Sequence, residues 1–262
     1  MKLTVSAVQF APTLGDMKKN LATVEKMIGE AAKLGSKIVV LPEICDTGYD
    51  LSDIGATARS IPNETTDFFS TLAKRHKLSI VAGLAERKGA DVFNAAVLFG
   101  PDGRIIDRYH KTHLCPIPPF NEPKVFAYGD RLFIAELAGT RIAPLICYDC
   151  RFPEAYRKLA VDGAQIIVQP TAFPRSRIDQ LETCLRARTI ENQYFIVTAN
   201  FHGKPGEVEL GGNSMILGPD GKILAKASQD KDEVITYTID LGEIDMARKD
   251  RPVFTQRRPE IY

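Results

Sequence analysis

The chain is 262 residues long, is 44% hydrophobic and carries a formal net charge of +1. A chain of this length and apolar content can bury a full core, so we expect residues 1–262 to form a single domain. The near-neutral charge gives no electrostatic footprint for nucleic acid, and no apolar run approaches the ~20 residues of a membrane helix. Composition therefore argues against nucleic-acid and membrane partners.

The N-terminus and the cysteines both favour a cytoplasmic protein. The first residues, MKLTVSAVQFAP, have the pattern of a strand and lack the long apolar core and small-residue cleavage site of a secretory leader. The five cysteines are an odd number in a long chain, which is not the pattern of a disulfide framework. We therefore expect the thiols to remain reduced.

Strands and helices alternate along the chain, with no linker between them. Continuous or alternating apolar runs predict strands at 5–9, 37–41, 78–84, 92–99, 104–110, 132–137, 141–146, 165–169, 194–200, 212–217, 222–227 and 233–239. Apolar residues three or four positions apart predict a helix that carries Leu21, Val24, Ile28 and Ala31 and ends at Gly35, and further helices at 66–76, 153–162 and 179–192. Residues 248–262 are predicted to form an extended C-terminal arm.

Two similar turns lie in the two halves of the chain. Pro-Asp-Gly separates apolar runs at 101–103 and again at 219–221, a turn signal in which Gly can adopt a positive φ. Two such hairpins indicate two similar β-sheets, each with helices on one side. The pattern predicts a mixed α/β fold, but it does not distinguish two stacked sheets from one doubly wound sheet.

A cysteine stands where a strand gives way to a helix. Residues 141–146 have the apolar, branched pattern of a buried strand, and Pro153 and Glu154 are typical of the first turn of a helix. Free backbone N–H groups near Cys147 would stabilise an anion, lower the pKa of the thiol and bind an oxyanion. The alternative interpretation is a buried structural cysteine.

Two charged residues occupy similar positions. Glu43 follows the short strand that stops at Pro42, and Lys111 stands where the strand at 104–110 runs out. Taken singly, each would be interpreted as a solvated surface residue. An acid, a base and a thiol at the ends of three strands can also meet at one edge of a sheet, where open α/β sheets bind ligands.

These residues resemble the three signatures of the nitrilase superfamily of carbon–nitrogen hydrolases. The resemblance implies a four-layer α-β-β-α sandwich and a catalytic triad formed by Glu43, Lys111 and Cys147. It implies no metal and no cofactor. The matching segments are Leu-Pro-Glu43, Tyr-His-Lys111-Thr-His-Leu, Ile-Cys147-Tyr-Asp-Cys-Arg-Phe-Pro-Glu, 185–192, 212–215 and the ending at 251–262.

The triad implies hydrolysis through a covalent intermediate. Cys147 would attack an amide carbonyl while Glu43 takes the thiol proton, and Lys111 with the backbone N–H of Tyr148 would stabilise the oxyanion. A further carboxylate is often part of this family's site, and Glu122, before the Phe-x-x-Gly-Asp turn, matches it. Its expected task is to orient Lys111 and the substrate amide.

The resemblance says less about the substrate than about the reaction. Tyr148 to Glu154, Pro170 to Phe173 and the ending resemble the amidase branch that includes omega-amidases and deaminated-glutathione amidases. We expect Tyr49, Tyr148, Thr171 and Phe173 to bind the substrate. That branch usually has Thr-Gly and His-Trp pairs after this point, whereas residues 174–180 read PRSRIDQ. The departure leaves open whether Arg175 or Arg177 binds an anion, or Asp179 favours a neutral or cationic amide.

Other functions remain open from the sequence. A relative with the same triad would be a carbamoyl-amine hydrolase or a nitrilase. Cys147 and Cys150 form a C-x-x-C, which also occurs in thiol redox proteins and in zinc sites, although zinc would need two further ligands. The expected partners are a small-molecule amide and a second copy of the chain, because related hydrolases commonly pair through the helices at 153–162 and 179–192.

Overall fold

The computed structural model describes residues 1–261 of the chain. Its strands are β1 Lys2–Gln9, β2 Ile38–Val40, β3 Ser79–Lys88, β4 Asp91–Phe99, β5 Ile105–His110, β6 Ala135–Leu137, β7 Thr140–Pro144, β8 Ile166–Pro170, β9 Phe195–Ala199, β10 His202–Gly203, β11 Leu210–Gly211, β12 Met215–Leu217, β13 Ile223–Lys226 and β14 Glu233–Asp240. The helices are α1 Met17–Lys33, α2 Leu51–Thr57, α3 Glu64–His76, α4 Pro153–Val161, α5 Ile178–Asn192 and α6 Gly242–Asp250. Three 3-10 helices cover Glu122–Lys124, Cys147–Arg151 and Arg175–Arg177.

The strands form two six-stranded sheets that pack face to face. The first sheet has the order β14-β1-β2-β3-β4-β5, and the second has the order β13-β12-β9-β8-β7-β6. Strands β1, β2 and β3 of the first sheet contact β8 and β9 of the second. Helices α1 and α3 cover the outer face of the first sheet, and α5 packs on β9 and β12 of the second beside α4. The predicted four-layer α-β-β-α sandwich is therefore confirmed.

Side-chain alternation along the strands builds these layers. In β2, Ile38 and Val40 point into the core between the sheets, whereas Val39 points into the core under α1 and α3. Both sets are fully buried. Successive residues of a strand face opposite sides, so a sheet covered on both faces needs this continuous apolar run.

The two Pro-Asp-Gly turns form the predicted hairpins. One joins β4 to β5 and the other joins β12 to β13, and each hairpin has a register shift close to its turn. Gly103 and Gly221 have φ values of +85° and +84°, which L side chains rarely adopt. The hairpins place β5 and β13 at corresponding edges of the two sheets.

Two helices and the start of the C-terminal arm differ from the sequence prediction. Helices α2 and α6 were not predicted, and α6 continues to Asp250, so the arm begins at Arg251 instead of Arg248. Both helices are short and each buries a single apolar side chain, Ile54 or Ile244, so their apolar periodicity is weak. Tyr262, the end of the predicted arm, lies outside the described residues.

Strand β7 is shorter than predicted. The strand ends at Pro144, so Leu145 and Ile146 connect it to Cys147. Both connecting residues are fully buried, which explains their strand-like sequence pattern.

Within residues 1–261, none of the helices combines the length and apolar character that crossing a membrane requires.

Candidate active site

A buried cluster of charges lies where β2 and β5 have ended. The Lys111 Nζ donates hydrogen bonds to Glu43 Oε1 at 2.8 Å and to Glu122 Oε1 at 2.7 Å. All three side chains are at most 1% exposed. Burying an ion is unfavourable unless an opposite charge and hydrogen bonds compensate it, so each member of this cluster depends on the others.

Asn94 completes the cluster and is absent from the sequence prediction. Its Nδ2 donates to Glu43 Oε1 at 2.6 Å and to Glu122 Oε1 at 3.4 Å. Its backbone carbonyl also accepts from the Lys111 N–H at 2.9 Å. A polar residue in the middle of the apolar run of β4 was the available signal, because an interior strand position is otherwise apolar.

Glu122 is held on both of its carboxylate oxygens. The Tyr49 hydroxyl donates to Oε1, and the backbone N–H of Cys115 donates to Oε2 at 2.5 Å. Glu122 is fully buried, although it lies in a Pro-rich segment of the sequence. The structure thus brings Glu122 to the same cation as Glu43.

The charges of the cluster shift one another's pKa. Burial raises the pKa of Glu43 above its ordinary value, and Lys111 only partly opposes this shift. Burial alone would lower the pKa of Lys111, but the carboxylates of Glu122 and Glu43 outweigh it and raise that pKa well above its ordinary value. Lys111 therefore remains charged, while Glu43 becomes a stronger base than an exposed glutamate.

Two glycines allow the backbone to bring Glu43 and Lys111 together. A Cβ on Gly83 of β3 would lie 2.5 Å from the Glu43 Cα, and a Cβ on Gly129 would lie 2.0 Å from the His110 carbonyl oxygen. Gly129 also donates its N–H to the Lys111 carbonyl at 2.9 Å. Both contacts are too close for any residue with a side chain, so these glycines set the position of the acid and the base.

Cys147 is the first residue of a 3-10 helix that precedes α4. Its φ is +42°, a left-handed conformation that is uncommon for a residue other than glycine. The Gln169 Nε2 donates to the Cys147 carbonyl at 3.2 Å, and the Ala172 backbone N–H donates to the thiol. These contacts hold the sulfur toward a cavity that Lys111 and Glu122 also line.

The pKa of the Cys147 thiol differs from the sequence prediction. Burial and the Glu43 carboxylate raise this pKa well above the ordinary value, and Lys111 only partly opposes them. The expectation of a lowered pKa was wrong, because the thiol lies beside two carboxylates as well as one cation. At neutral pH Cys147 is therefore a thiol, and a base must remove its proton.

Asp149 connects the cysteine loop to the lysine loop, a role that the sequence did not reveal. It is fully buried and accepts from the Tyr109 hydroxyl at 2.9 Å, from His113 Nδ1 at 2.8 Å and from the Ile146 N–H at 2.8 Å. These bonds join the segments on either side of the site. Tyr109 and Ile146 are neighbours of Lys111 and Cys147 in sequence, so Asp149 fixes the two side chains relative to each other.

The cavity has a volume of about 430 Å³, and Tyr49, Tyr148 and Phe173 line it. Thr171 does not line it, although the sequence suggests that it binds substrate. Its carbonyl accepts from the Glu43 N–H at 3.3 Å, and its hydroxyl bonds to Gln169 and Thr198. The structure therefore places Thr171 behind Glu43, as a support for the backbone.

The cavity mouth carries charges of both signs. Arg151, Arg177, Glu207 and Glu209 line it. Glu209 pairs with Arg175 at 3.0 Å, but Arg175 does not itself line the cavity. Asp179 is exposed on the first turn of α5 and does not line the cavity. Of the three charged residues that the sequence left open for substrate binding, only Arg177 lies at the cavity.

The C-x-x-C thiols have separate environments. Cys150 is buried and hydrogen-bonds to Cys184, whereas Cys147 lies in the cavity wall, and all five cysteines are free. Among residues 1–261, no group of three or more His, Cys, Asp or Glu side chains is arranged to hold a metal ion. Cys147 and Cys150 therefore do not belong to a cluster of metal-binding side chains in the described chain.

Comparisons with known proteins agree with this geometry. The carbon-nitrogen hydrolase family profile matches residues 4–249. A 2-oxoglutaramate amidase of Bacillus subtilis is 34% identical over the whole of both chains, and a nitrilase of Pyrococcus abyssi is 35% identical over 98% of each. A carbon-nitrogen hydrolase structure from Helicobacter pylori has a TM-score of 0.91 and 27% identity, covering 100% of this chain and 97% of that chain. The chain belongs to the carbon–nitrogen hydrolase family of the nitrilase superfamily.

Proposed function

We propose that the protein hydrolyses a small linear amide to a carboxylate and ammonia through a thioester on Cys147. The observation that carries the proposal is the Glu43–Lys111–Glu122 cluster beside the cavity that Cys147 lines. An amide is a poor electrophile with a poor leaving group, so its hydrolysis needs a nucleophile, a proton carrier and a stabilised oxyanion. Cys147 offers the nucleophile, and the cluster offers the proton carrier and the cation for the oxyanion.

Glu43 is suited to carry the proton. Its Oε1 accepts from Lys111 and Asn94, whereas its Oε2 has no hydrogen-bond partner among residues 1–261. The raised pKa of Glu43 and the neutral Cys147 thiol make proton transfer to Glu43 possible as the sulfur attacks the carbonyl carbon. The free oxygen is thus the proposed acceptor.

Lys111 and Tyr148 are suited to stabilise the oxyanion. Lys111 keeps its charge because Glu122 and Glu43 raise its pKa. Tyr148 is the second residue of its 3-10 helix, and the first N–H groups of a helix have no acceptor within it. A positioned donor of this kind typically contributes about 3–4 kcal/mol to lowering the barrier.

Collapse of the tetrahedral intermediate breaks the C–N bond, and Glu43 returns the proton to the departing ammonia. The product at this stage is a thioester between the acyl group and Cys147. Glu43, again a carboxylate, then takes a proton from a water molecule that attacks the thioester carbonyl. The C–S bond breaks, the sulfur recovers its proton from Glu43, and the product leaves as a carboxylic acid that gives its proton to the solvent or to the released ammonia. Glu122 keeps Lys111 in place throughout.

The 2-oxoglutaramate amidase among the relatives supports an amide whose acyl group carries a carboxylate. Arg151 and Arg177 at the mouth are cations that can meet such a group. We further propose that the whole chain is one hydrolase domain that works in the cytoplasm, where the free thiols, Cys147 included, stay reduced.

An ammonia-release screen tests the proposal. The panel contains simple amides, 2-oxo-acid omega-amides, carbamoyl amines and nitriles. We expect ammonia from amides without carbon dioxide, and a covalent acyl adduct on Cys147 after rapid quenching. Carbon dioxide as a co-product would favour a carbamoyl-amine hydrolase, and ammonia from nitriles alone would favour a nitrilase. Amide turnover without any adduct on Cys147 would contradict the thioester route.

A further inference from the structure

A second cavity adjoins the catalytic cavity. Its volume is about 450 Å³, nearly equal to the 430 Å³ of the first. Tyr49, Pro119, Phe120, Glu207 and Val208 line both cavities, so these residues form a partition between them. Neither the proton transfer nor the oxyanion site needs the second cavity.

Phe120 is one of the two aromatic residues of this partition. Its ring meets that of Tyr49 edge to face, with centroids 5.7 Å apart and an angle of 74° between the planes. The backbone N–H of Phe120 donates to the Ile117 carbonyl at 3.0 Å, which holds the residue in a turn. Tyr49 bonds to Glu122, whereas no hydrogen bond within residues 1–261 ties the Phe120 ring to the charged cluster.

The lining beyond the partition has a distinct chemistry. Leu14, Leu51 and Leu210 contribute apolar surface, Asp50 is the charged residue there, and Glu207 of the partition adds a second carboxylate. No lysine or arginine of the described chain lines this cavity. An apolar chain with a neutral or positively charged end would therefore be accommodated better than one with a carboxylate.

We propose that Phe120 sets the limit on acyl-chain length by closing the catalytic cavity against this second cavity. The inference rests on the proposed amide hydrolysis and adds the residue that selects among amides. With Phe120 in place, short acyl groups fit the catalytic cavity and longer ones meet the ring. Without the ring, the two cavities join, and a longer apolar chain extends toward Leu51 and Leu210.

The test compares Phe120→Ala with the wild-type enzyme on butanamide and octanamide. Each buried methylene contributes about fourfold to affinity. We therefore expect the variant to raise the octanamide-to-butanamide ratio of kcat/KM by at least about tenfold. Leu51→Ala enlarges the second cavity but keeps the partition, so its ratio should match the wild type. An equal loss on both amides in Phe120→Ala, or no wild-type preference for butanamide, would overturn the proposal.

Binding separates this inference from the proposed reaction. Calorimetry on Cys147→Ala, with and without Phe120→Ala, measures the affinity for both amides in the absence of turnover. A shift of the Kd ratio toward octanamide supports the length limit even if no amide is hydrolysed. Amide turnover by the wild type with an unchanged Kd ratio would retain the reaction and reject the limit.

The charge of the chain end gives a second readout. In Phe120→Ala, the gain in kcat/KM should be several-fold larger for 6-aminohexanamide than for the amide of equal length that ends in a carboxylate, because Asp50 and Glu207 face the new space. Additional replacement of Asp50 by Asn should reduce that difference. A larger gain for the carboxylate-ended amide would contradict the proposed chemistry of the second cavity.

Discussion

The charged centre of the site and the mouth of its cavity are built in opposite ways. Glu43, Lys111 and Glu122 are buried, and each is hydrogen-bonded to another member or to Asn94. At the mouth, Arg177 and Glu207 are exposed; Arg177 ends the short 3-10 helix before α5, and Glu207 lies on the irregular segment after β10. The groups that we propose to carry out the chemistry are thus buried, and those that we propose to meet the substrate are exposed at the mouth.

This difference has an energetic basis. A buried charge has few alternative partners, so moving one member of the centre leaves the others uncompensated. An exposed charge can exchange its partner for water at little cost. We therefore expect substitutions at the centre to lower kcat strongly, and substitutions at the mouth to redistribute kcat/KM among substrates.

The largest expected effect is that of removing the nucleophile. Cys147→Ala or Cys147→Ser should abolish turnover without unfolding the protein, since the lost group acts in the covalent step. Iodoacetamide should inactivate the wild type, and peptide mapping should find that Cys147 labelling follows the loss of activity. Cys150→Ala is the matched control and should remain active. Full activity in Cys147→Ala would exclude the mechanism.

Loss of the base or of the cation should have the next largest effect. Glu43→Gln removes proton transfer but keeps the Lys111–Glu122 pair, and Lys111→Ala removes the oxyanion partner and leaves two carboxylates buried without a cation. Both should lower kcat at least about 100-fold. Circular dichroism distinguishes a folded, inactive variant from an unfolded one.

Activity should be unaffected by EDTA, and a loss that zinc restores would contradict a metal-free triad.

The raised pKa of Glu43 predicts the acid side of the pH profile. Glu43 accepts a proton only as a carboxylate, so kcat/KM should fall as the pH falls through its pKa. Because burial raises that pKa, the fall should be centred above pH 4.5, the ordinary value for glutamate. Lys111 should add no alkaline fall below its ordinary pKa of 10.5, because its own pKa is raised. A midpoint at or below pH 4.5 in a folded enzyme would contradict the assignment.

The sequence revealed those parts of the site that have a local signal. Glu43, Lys111 and Cys147 each follow an apolar run that predicts a strand, so their arrival at one edge of the sandwich could be expected. The sandwich itself depended on the family resemblance, because apolar periodicity describes single elements and not the stacking of sheets.

The remaining features depend on contacts between distant segments. Asn94 joins the cluster through residues far away in sequence, and Asp149 ties together two loops that no local pattern relates. Burial and Glu43 raise the pKa of Cys147, which is opposite to the shift that its position before a helix predicts. Burial and neighbouring charge are properties of the folded chain, and a strand-to-helix pattern reports neither of them.

The C-terminal region has one feature with a local sequence signal and another that depends on contacts between distant segments. The apolar residues of the arm predict packing, and Phe254 does pack against the core between α4 and α6, with its ring 5.2 Å from the Arg157 guanidinium and 4.7 Å from that of Arg248. Helix α6 is fixed to the rest of the protein by Gln193, because the Gln193 Nε2 donates to the Ala247 and Arg251 carbonyls at 2.9 and 2.7 Å. The arm therefore supports the helix that follows the Cys147 loop.

The smallest expected effect follows from this support and from exposed apolar residues on α4, α5 and α6. Val161 on α4, Ile190 on α5 and Met246 on α6 are apolar and 47%, 48% and 70% exposed. We propose that α4 and α5, the helices through which the sequence predicts pairing, join two copies of the chain about a two-fold axis. Deleting residues 252–262 removes Phe254, so it should weaken the assembly and lower kcat by a few-fold together, because α4 loses its support.

Light scattering and activity at the same concentrations measure both effects, and Phe254→Leu, which keeps an apolar side chain against Arg157 and Arg248, should show a smaller shift than the deletion. A change in assembly without any change in kcat would separate the arm from the active site. A fully active wild-type monomer at micromolar concentration would reject the pairing. Such a monomer would also show that the fixed centre of the site needs no support from a second copy, which would sharpen the contrast between centre and mouth.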